Sequence, residues 1–264
     1  MAPIVEYFDP RQKLPPLRIP DWLTTLAATA TRAAIEALPD SMRRNLAEAL
    51  VPVRLAPPGA SVAEQFEHYK AIIEARGFSL DPVHPTVLAI RGMASDGTVH
   101  PTTSAARYDD TLVVLKRDAN GNVEVTTFAG STHPGQRSST ASPDVTRDGL
   151  GDVGMINAGE YRIEPRGEHA GAAAWDVRTA AGSHDLAGVR DTDHDGQFSA
   201  AERAASAGRG DTLSGVLIHQ GGADNPWSIG CINLSQNQDV YPQFIQTVGG
   251  DQASMKLIVV DANS

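Results

Sequence analysis

The chain of 264 residues contains a single cysteine, Cys231. An internal disulfide is therefore excluded, as is any metal cage built from several thiolates, and the one thiol stays available for chemistry. No 18-residue apolar run occurs, which excludes a helical membrane span. Basic clusters are missing too. No Lys/Arg run exceeds a pair, as at Arg43-Arg44 and Lys116-Arg117, and the formal net charge is −10. Nucleic-acid binders carry a basic footprint, so nucleic acid is not an expected partner. The first residues, MAPIVEYFDPRQKLPPLRIPDW, are broken by prolines and charges and lack the basic segment and apolar stretch of a secretory signal. Two expectations follow: retention in the cytoplasm, or export by a route outside the general secretory pathway to act in the periplasm or cell wall. There is also no low-complexity tract and no fixed-period repeat.

A chain of this length can bury a substantial core in one large or two small domains. Residues 1–20 are proline-rich and read as extended. Asp21 is placed to cap a helix with apolar residues at helical spacing from Leu23 to Leu38, and a second short helix is expected from about 40 to 50. Ser61-Val62-Ala63-Glu64 has the form of a capping box, opening a helix that runs to about Arg76 with Gly77 as its stop. Residues 1–84 thus read as a helical amino-terminal region. From 85 the period becomes strand-like, with strands expected at 87–90, 112–115, 123–128, 160–163, 174–178, 215–219, 231–234 and 255–260. Asn120-Gly121 signals a hairpin between the second and third. One helix is expected at about 236–247. Pro, Ser, Thr and Gly fill 129–157, which reads as a long functional or mobile loop. The expected fold class is α+β, mainly β, with a sandwich or barrel over 85–264.

Ser228-Ile229-Gly230-Cys231-Ile232-Asn233-Leu234 is the most informative stretch. On a strand, Ile232 and Leu234 share one face and point to the core, while Cys231 and Asn233 point to the other. Gly230 allows close backbone approach by a substrate. The amides around Gly230 and Cys231 are candidates for an oxyanion hole. A thiol is mostly protonated at neutral pH and needs a base or cation beside it. His219 ends the apolar strand Val216-Leu217-Ile218, is followed by Gln220-Gly221-Gly222, and lies twelve positions before Cys231. A loop of that length can bring two strand ends together. His184-Asp185 and Asp211 are candidates to orient His219, and Trp227 either lines a subsite or packs. His133 and Gln136 read as ordinary residues of the long loop.

Asp191-Thr192-Asp193-His194-Asp195-Gly196-Gln197-Phe198-Ser199-Ala200-Ala201-Glu202 fits the twelve-residue EF-hand calcium loop. Asp191, Asp193 and Asp195 supply carboxylates, and Gly196 makes the sharp turn. Gln197 offers its carbonyl, Ser199 bonds directly or through water, and Glu202 closes the site. Phe198 is the apolar anchor. A structural Ca2+ is the expected cofactor. The segment entering the loop is short and holds Gly188, so a paired sensor module is not expected.

The run from Ile218-His219 to Ser228-x-Gly230-Cys231-Ile232 resembles the signature of the L,D-transpeptidase (YkuD-like) family, which acts on bacterial peptidoglycan. Phe128-Ala129-Gly130-Ser131-Thr132 and Gly159-Glu160-Tyr161-Arg162-Ile163 are similar to the strands that precede it in that family, so the resemblance covers about 111–262. It implies a YkuD-like catalytic domain with Cys231 as nucleophile and His219 as base. Ser228, Gly230 and the Cys231 amide would shape the oxyanion site. The chain departs from the pattern in two places. Asn233 stands where the family usually has arginine, and His-Gln-Gly-Gly with a shorter loop stands where it often reads His-Gly-Thr.

The implied function is acyl transfer or hydrolysis on peptidoglycan stem peptides through a Cys231 thioester, as in a delivered antibacterial effector or lysin. An immunity protein or a secretion carrier is then an expected partner. Two alternatives remain open: a cysteine hydrolase of another amide, and a non-catalytic, calcium-stabilised binding module.

Overall fold

The computed structural model describes residues 48, 50–102, 107–118 and 120–262. The extended segment 1–20, the helix expected at 21–38 and most of that expected at 40–50 lie outside the described residues. Those described belong to one compact unit, Ala47–Ser264, so the boundary expected between residues 84 and 85 falls inside it.

Helix α1 spans Val62–Ala75 and is capped as its sequence demands. The Ser61 hydroxyl accepts from the Glu64 amide, and the Glu64 carboxylate accepts from the Ser61 amide at 2.8 Å. These bonds satisfy donors that a bare helix start leaves open. Eleven strands follow among the described residues. They are β1 (Thr86–Arg91), β2 (Asp110–Arg117), β3 (Val123–Ser131), β4 (Gly154–Ile156), β5 (Gly159–His169) and β6 (Ala172–Arg178). The rest are β7 (Leu186–Arg190), β8 (Thr212–Leu213), β9 (Leu217–Gln220), β10 (Ile232–Leu234) and β11 (Met255–Asp261). Helix α2 covers Ala200–Arg209, and α3 covers Val240–Val248 behind a single 3-10 turn at Asn237–Asp239.

Eight strands close a barrel in the order β1-β11-β5-β6-β9-β10-β3-β2, and β4, β7 and β8 form a separate small sheet. The fold is therefore α+β and mainly β, with a barrel rather than a sandwich. The pairs β1–β11 and β9–β10 are parallel, and the other barrel pairs are antiparallel. The expected hairpin joins β2 to β3: the Asp118 amide donates to the Asn122 carbonyl, and Gly121 takes φ 86°. Glycine adopts that conformation without steric cost.

The two-residue period explains why several strands read as continuous apolar runs. Val87 and Ala89 of β1, Leu112 and Val114 of β2, and Leu257 and Val259 of β11 join the inner core. Their alternates Leu88, Ile90, Val113, Leu115, Ile258 and Val260 face outward into a second cluster, covered by Phe66, Tyr69, Ile72 and Ile73 of α1. Helix α3 adds Tyr241, Phe244 and Val248 to the inner core. There Phe244 meets the fully buried Trp175 edge to face, with ring centroids 5.9 Å apart. The Trp175 indole N–H donates to the Ala253 carbonyl at 2.8 Å.

The stretch 129–157 differs from the loop expected. It is packed at both ends: β3 continues to Ser131, Thr132 and His133 are fully buried, and Val153 is fully buried before β4. Its Ser/Thr/Gly composition hid this. Thr132 and Ser131 there bond inside the protein, to Asp110 and to the His133 carbonyl.

Candidate active site

Parallel pairing of β9 with β10 sets the site. Ile232 lies opposite Ile218 and Asn233 opposite His219, so Cys231, one residue before β10, comes beside Leu217. Ile218, Ile232 and Leu234 enter the inner core, which turns Cys231, Asn233, Leu217 and His219 to the outer face. This is the facing that the sequence anticipated. Cys231, His219, Ser228 and Gly230 all line one cleft of about 640 Å3.

Cys231 is partly exposed. Burial pushes its thiol pKa up, against the Leu217 amide, which donates to Sγ at 3.4 Å, and the Arg166 charge, which pulls it down. His219 is 5% exposed, and burial lowers its pKa, with the neighbouring His169 adding to the effect. The His169 and His219 rings meet edge to face at 4.6 Å. The His219 tautomer follows from its partners. Nδ1 lies 2.8 Å from the Gln220 carbonyl, an acceptor only, so Nδ1 carries the proton. Nε2 is then an acceptor, and Asn233 Nδ2 donates to it at 3.0 Å and to the His219 carbonyl at 3.2 Å. Both ring nitrogens thus have partners other than the thiol, and the imidazole is neutral near pH 7.

Two glycine and serine roles differ from expectation. A Cβ on Gly230 would come within 2.6 Å of the Gly154 carbonyl. The missing side chain therefore admits β4 rather than a substrate. The Gly230 amide donates to Ser228 Oγ at 2.9 Å, and that hydroxyl donates to the Cys231 carbonyl at 2.8 Å. Ser228 thus knits the turn before Cys231, and of the amides expected at the oxyanion site, the Cys231 N–H remains the candidate donor. His184, Asp185 and Asp211 are not brought to His219. Asp185 accepts from Ser214 Oγ, and Asp211 pairs with Arg209 at 2.7 Å. Trp227 is 63% exposed at the lip of the cleft.

Sequence reasoning missed a buried polar network behind this site. The Asp110 carboxylate accepts from the Gly92 amide at 2.7 Å and from the Thr132 amide and hydroxyl at 2.8 and 2.7 Å. Thr132 Oγ1 accepts in turn from the fully buried Arg91. His133 Nε2 lies 2.9 Å from Asp109 and 3.7 Å from Asp110. Burial alone would lower the His133 pKa, but the two carboxylates outweigh it and raise it. His133 is therefore a buried partner of two carboxylates and not an ordinary loop residue. His100, Asp109 and Asp110 also stand close enough together for a shared metal ion.

The acidic loop is brought together as its spacing required. Carboxylate oxygens of Asp191, Asp193 and Asp195 lie within 4.8 Å of one another. The Gly196 amide donates to Asp191 at 3.1 Å, with φ +57° at His194 and +83° at Gly196. Phe198 anchors the loop by packing on Met155 and Val189. Gln197 is exposed, its amide bonded to Asp195. Ser199 caps α2 in a reciprocal box with Glu202, whose other carboxylate oxygen accepts from the Thr192 amide at 2.7 Å. Strand β7 leads into the loop and α2 leads out, a helix the sequence reading did not mark. The stretch Asp144-Val145-Thr146-Arg147-Asp148-Gly149 follows the same backbone path. Its Gly149 amide donates to Asp144 at 2.9 Å, with φ +64° at Arg147 and +93° at Gly149. The repeated Asp-x-x-x-Asp-Gly spacing was the signal for it.

No protein-family model, curated protein or solved structure matches the chain.

Proposed function

We propose that the protein is a cysteine acyl-transfer enzyme acting on peptidoglycan stem peptides, an L,D-transpeptidase or L,D-carboxypeptidase/endopeptidase with a YkuD-like catalytic domain. The observation that supports this reading most is the convergence of Cys231, His219 and Ser228 on one cleft, on the outer face of two adjacent parallel strands.

The chemistry would run as follows from these groups. His219 Nε2 carries no proton and is the site that receives one from the Cys231 thiol. To do so it exchanges its bond from Asn233 for one to Sγ. The thiolate attacks the scissile carbonyl carbon, and the oxyanion that forms is met by the Cys231 N–H. The tetrahedral species collapses with cleavage of the C–N bond. The departing amine takes the proton from the His219 imidazolium and leaves an acyl thioester on Cys231. An acceptor amine then gives a cross-link, and water gives the trimmed peptide, with the thiol restored in either case.

A calcium ion held by Asp191, Asp193, Asp195, Glu202, the Gln197 carbonyl and Ser199 belongs to this proposal as a structural clip. Burial comes first, then Glu202, Asp193 and Asp195, in pushing the Asp191 carboxyl up to about 6. A divalent cation removes the like-charge repulsion that contributes to that shift. Arg190, which directly precedes Asp191, lines the Cys231 cleft, so the clip would hold part of the cleft wall.

One observation favours a second reading, a calcium-stabilised binding module. The thiol is raised by burial and the imidazole nitrogens are engaged elsewhere. Mass spectrometry of stem tetrapeptides incubated with wild type and Cys231→Ala, with calcium present, separates the two. Cysteine-dependent loss of the terminal residue, or a cross-linked dimer, supports the enzyme. Unchanged peptide with both proteins, together with a thiol inert to iodoacetamide, sinks it and favours the module.

A further inference from the structure

The cleft that holds Cys231 is lined by Arg166, Arg190, His169 and His219, and by no acidic side chain among the described residues. In a chain of formal net charge −10 this is a local inversion of sign. A cleft of one sign concentrates ligands of the opposite sign.

The two arginines reach it by different devices. Pairing of β5 with β6 slips between Pro165 and Gly167, leaving Arg166 as the extra residue of a bulge. Bulges commonly re-aim a side chain beside a functional site. Arg166 is held by Asp176 at 3.1 Å, is 46% exposed, and its charge is felt at the Cys231 sulfur. Arg190 is 6% exposed. Its two terminal nitrogens donate to the Asp152 and Thr212 carbonyls, while its Nε has no hydrogen-bond partner among the described residues. Asp211 and Asp152 lie near enough to offset part of its charge. Its Cδ would lie 3.2 Å from a Cβ on Gly154, the residue whose carbonyl packs on Gly230. The guanidinium is thus anchored on the small sheet, beside Gly154, whose carbonyl packs against Gly230, the residue before Cys231. Ser142 also lines the cleft, and its buried hydroxyl likewise lacks a partner. A buried donor without an acceptor is costly, and a carboxylate oxygen is a strong acceptor for it.

We propose that Arg166, Arg190 and Ser142 form a carboxylate-reading subsite beside Cys231, so that the preferred substrate carries a free carboxylate close to the bond attacked. This rests on reading the cleft as a substrate site, and it supplies the positive charge that Asn233 does not. The substrate is bound ionically by Arg166 and through the Arg190 Nε–H and Ser142 hydroxyl.

The test uses two alkylating reagents that differ only in charge, iodoacetate and iodoacetamide. Each forms a carbon–sulfur bond at Cys231 and releases iodide, so the ratio of their rates cancels the thiolate fraction. In the full chain the ratio at Cys231 exceeds that of a free small thiol by about tenfold and falls as salt screens the charges. Arg166→Gln lowers it by about threefold or more. Arg190→Lys keeps the charge, loses the Nε donor and lowers it further, with thermal melting used to confirm folding. A ratio equal to that of the free thiol, insensitive to salt and to Arg166→Gln, overturns the proposal. If neither reagent labels the thiol, titration of Cys231→Ala with an N-acetylated amino acid and its carboxamide, followed by the Trp227 indole signal, decides the same question. Equal binding of both, or none of either, overturns it. A raised ratio without turnover of stem peptides refutes only the peptidoglycan reading, and turnover with a flat ratio refutes only this subsite.

Discussion

Asp110→Ala is expected to destabilise the barrel by about 4 kcal/mol while leaving the cleft residues untouched. The Asp110 side chain is fully buried at the start of β2 and bonds two backbone amides, Gly92 and Thr132, as well as the Thr132 hydroxyl. Alanine offers no acceptor, so two buried N–H groups lose their partners at about 1–3 kcal/mol each. His133 also loses the farther of its two carboxylate partners, keeping Asp109 at 2.9 Å. Breaking one partner of a buried charged set typically costs about 3–5 kcal/mol, in agreement with that sum. Asp110→Asn keeps one acceptor oxygen and is expected to lose about half as much. Urea unfolding followed by tryptophan fluorescence measures both, since Trp175 is buried in the inner core. With a slope of about 3 kcal/mol/M, the Ala variant unfolds roughly 1.3 M earlier than wild type. A shift under about 0.3 M for Ala, or an Asn variant as unstable as the Ala variant, would refute the view that the carboxylate is needed for its two amides.

Three further outcomes are expected. Calcium at a hundredfold excess over its dissociation constant raises stability by about 2.7 kcal/mol, and Glu202→Gln removes most of that gain in a thermal melt; equal melting with calcium and with chelator refutes the clip. His219, whose pKa is lowered, binds its proton more readily in the unfolded chain. Its contribution to stability is full above the ordinary histidine value of 6.5 and is lost as pH falls from there through the depressed value. If His219 is also the base, the acid limb of the rate profile for stem-peptide turnover lies below the ordinary histidine value, and a limb above it excludes His219 from that role.

Much of the barrel was legible because its strands carry period-2 or continuous apolar patterns with turn residues between them, as at 87–90 and in the Asn-Gly hairpin. The capping box at Ser61 and the acidic loop were legible for a similar reason: each is local, and its donors and acceptors lie within twelve residues. The small sheet of β4, β7 and β8 was not. Its strands have two to five residues, and their partners lie far apart in the chain, Met155 opposite Val189 and Leu186 opposite Leu213. His133 was misread because nothing within its own segment announces Asp109, 24 residues earlier, as its partner.

Sequence alone determined which residues could do chemistry: one thiol, a histidine at a strand end, and a loop of carboxylates spaced for a cation. It also determined their facing, since Ile232 and Leu234 had to enter the core and so turned Cys231 outward. Only the tertiary structure decided the company those residues keep. Asn233 rather than Cys231 holds the His219 Nε2, because the β9–β10 register places Asn233 directly opposite His219. Arg166 and Arg190 reach the cleft from 65 and 41 positions before Cys231, through a bulge and through the strand that enters the acidic loop. Pairing register and chain crossing are long-range properties, fixed by how whole strands bury their faces, and no local pattern encodes them.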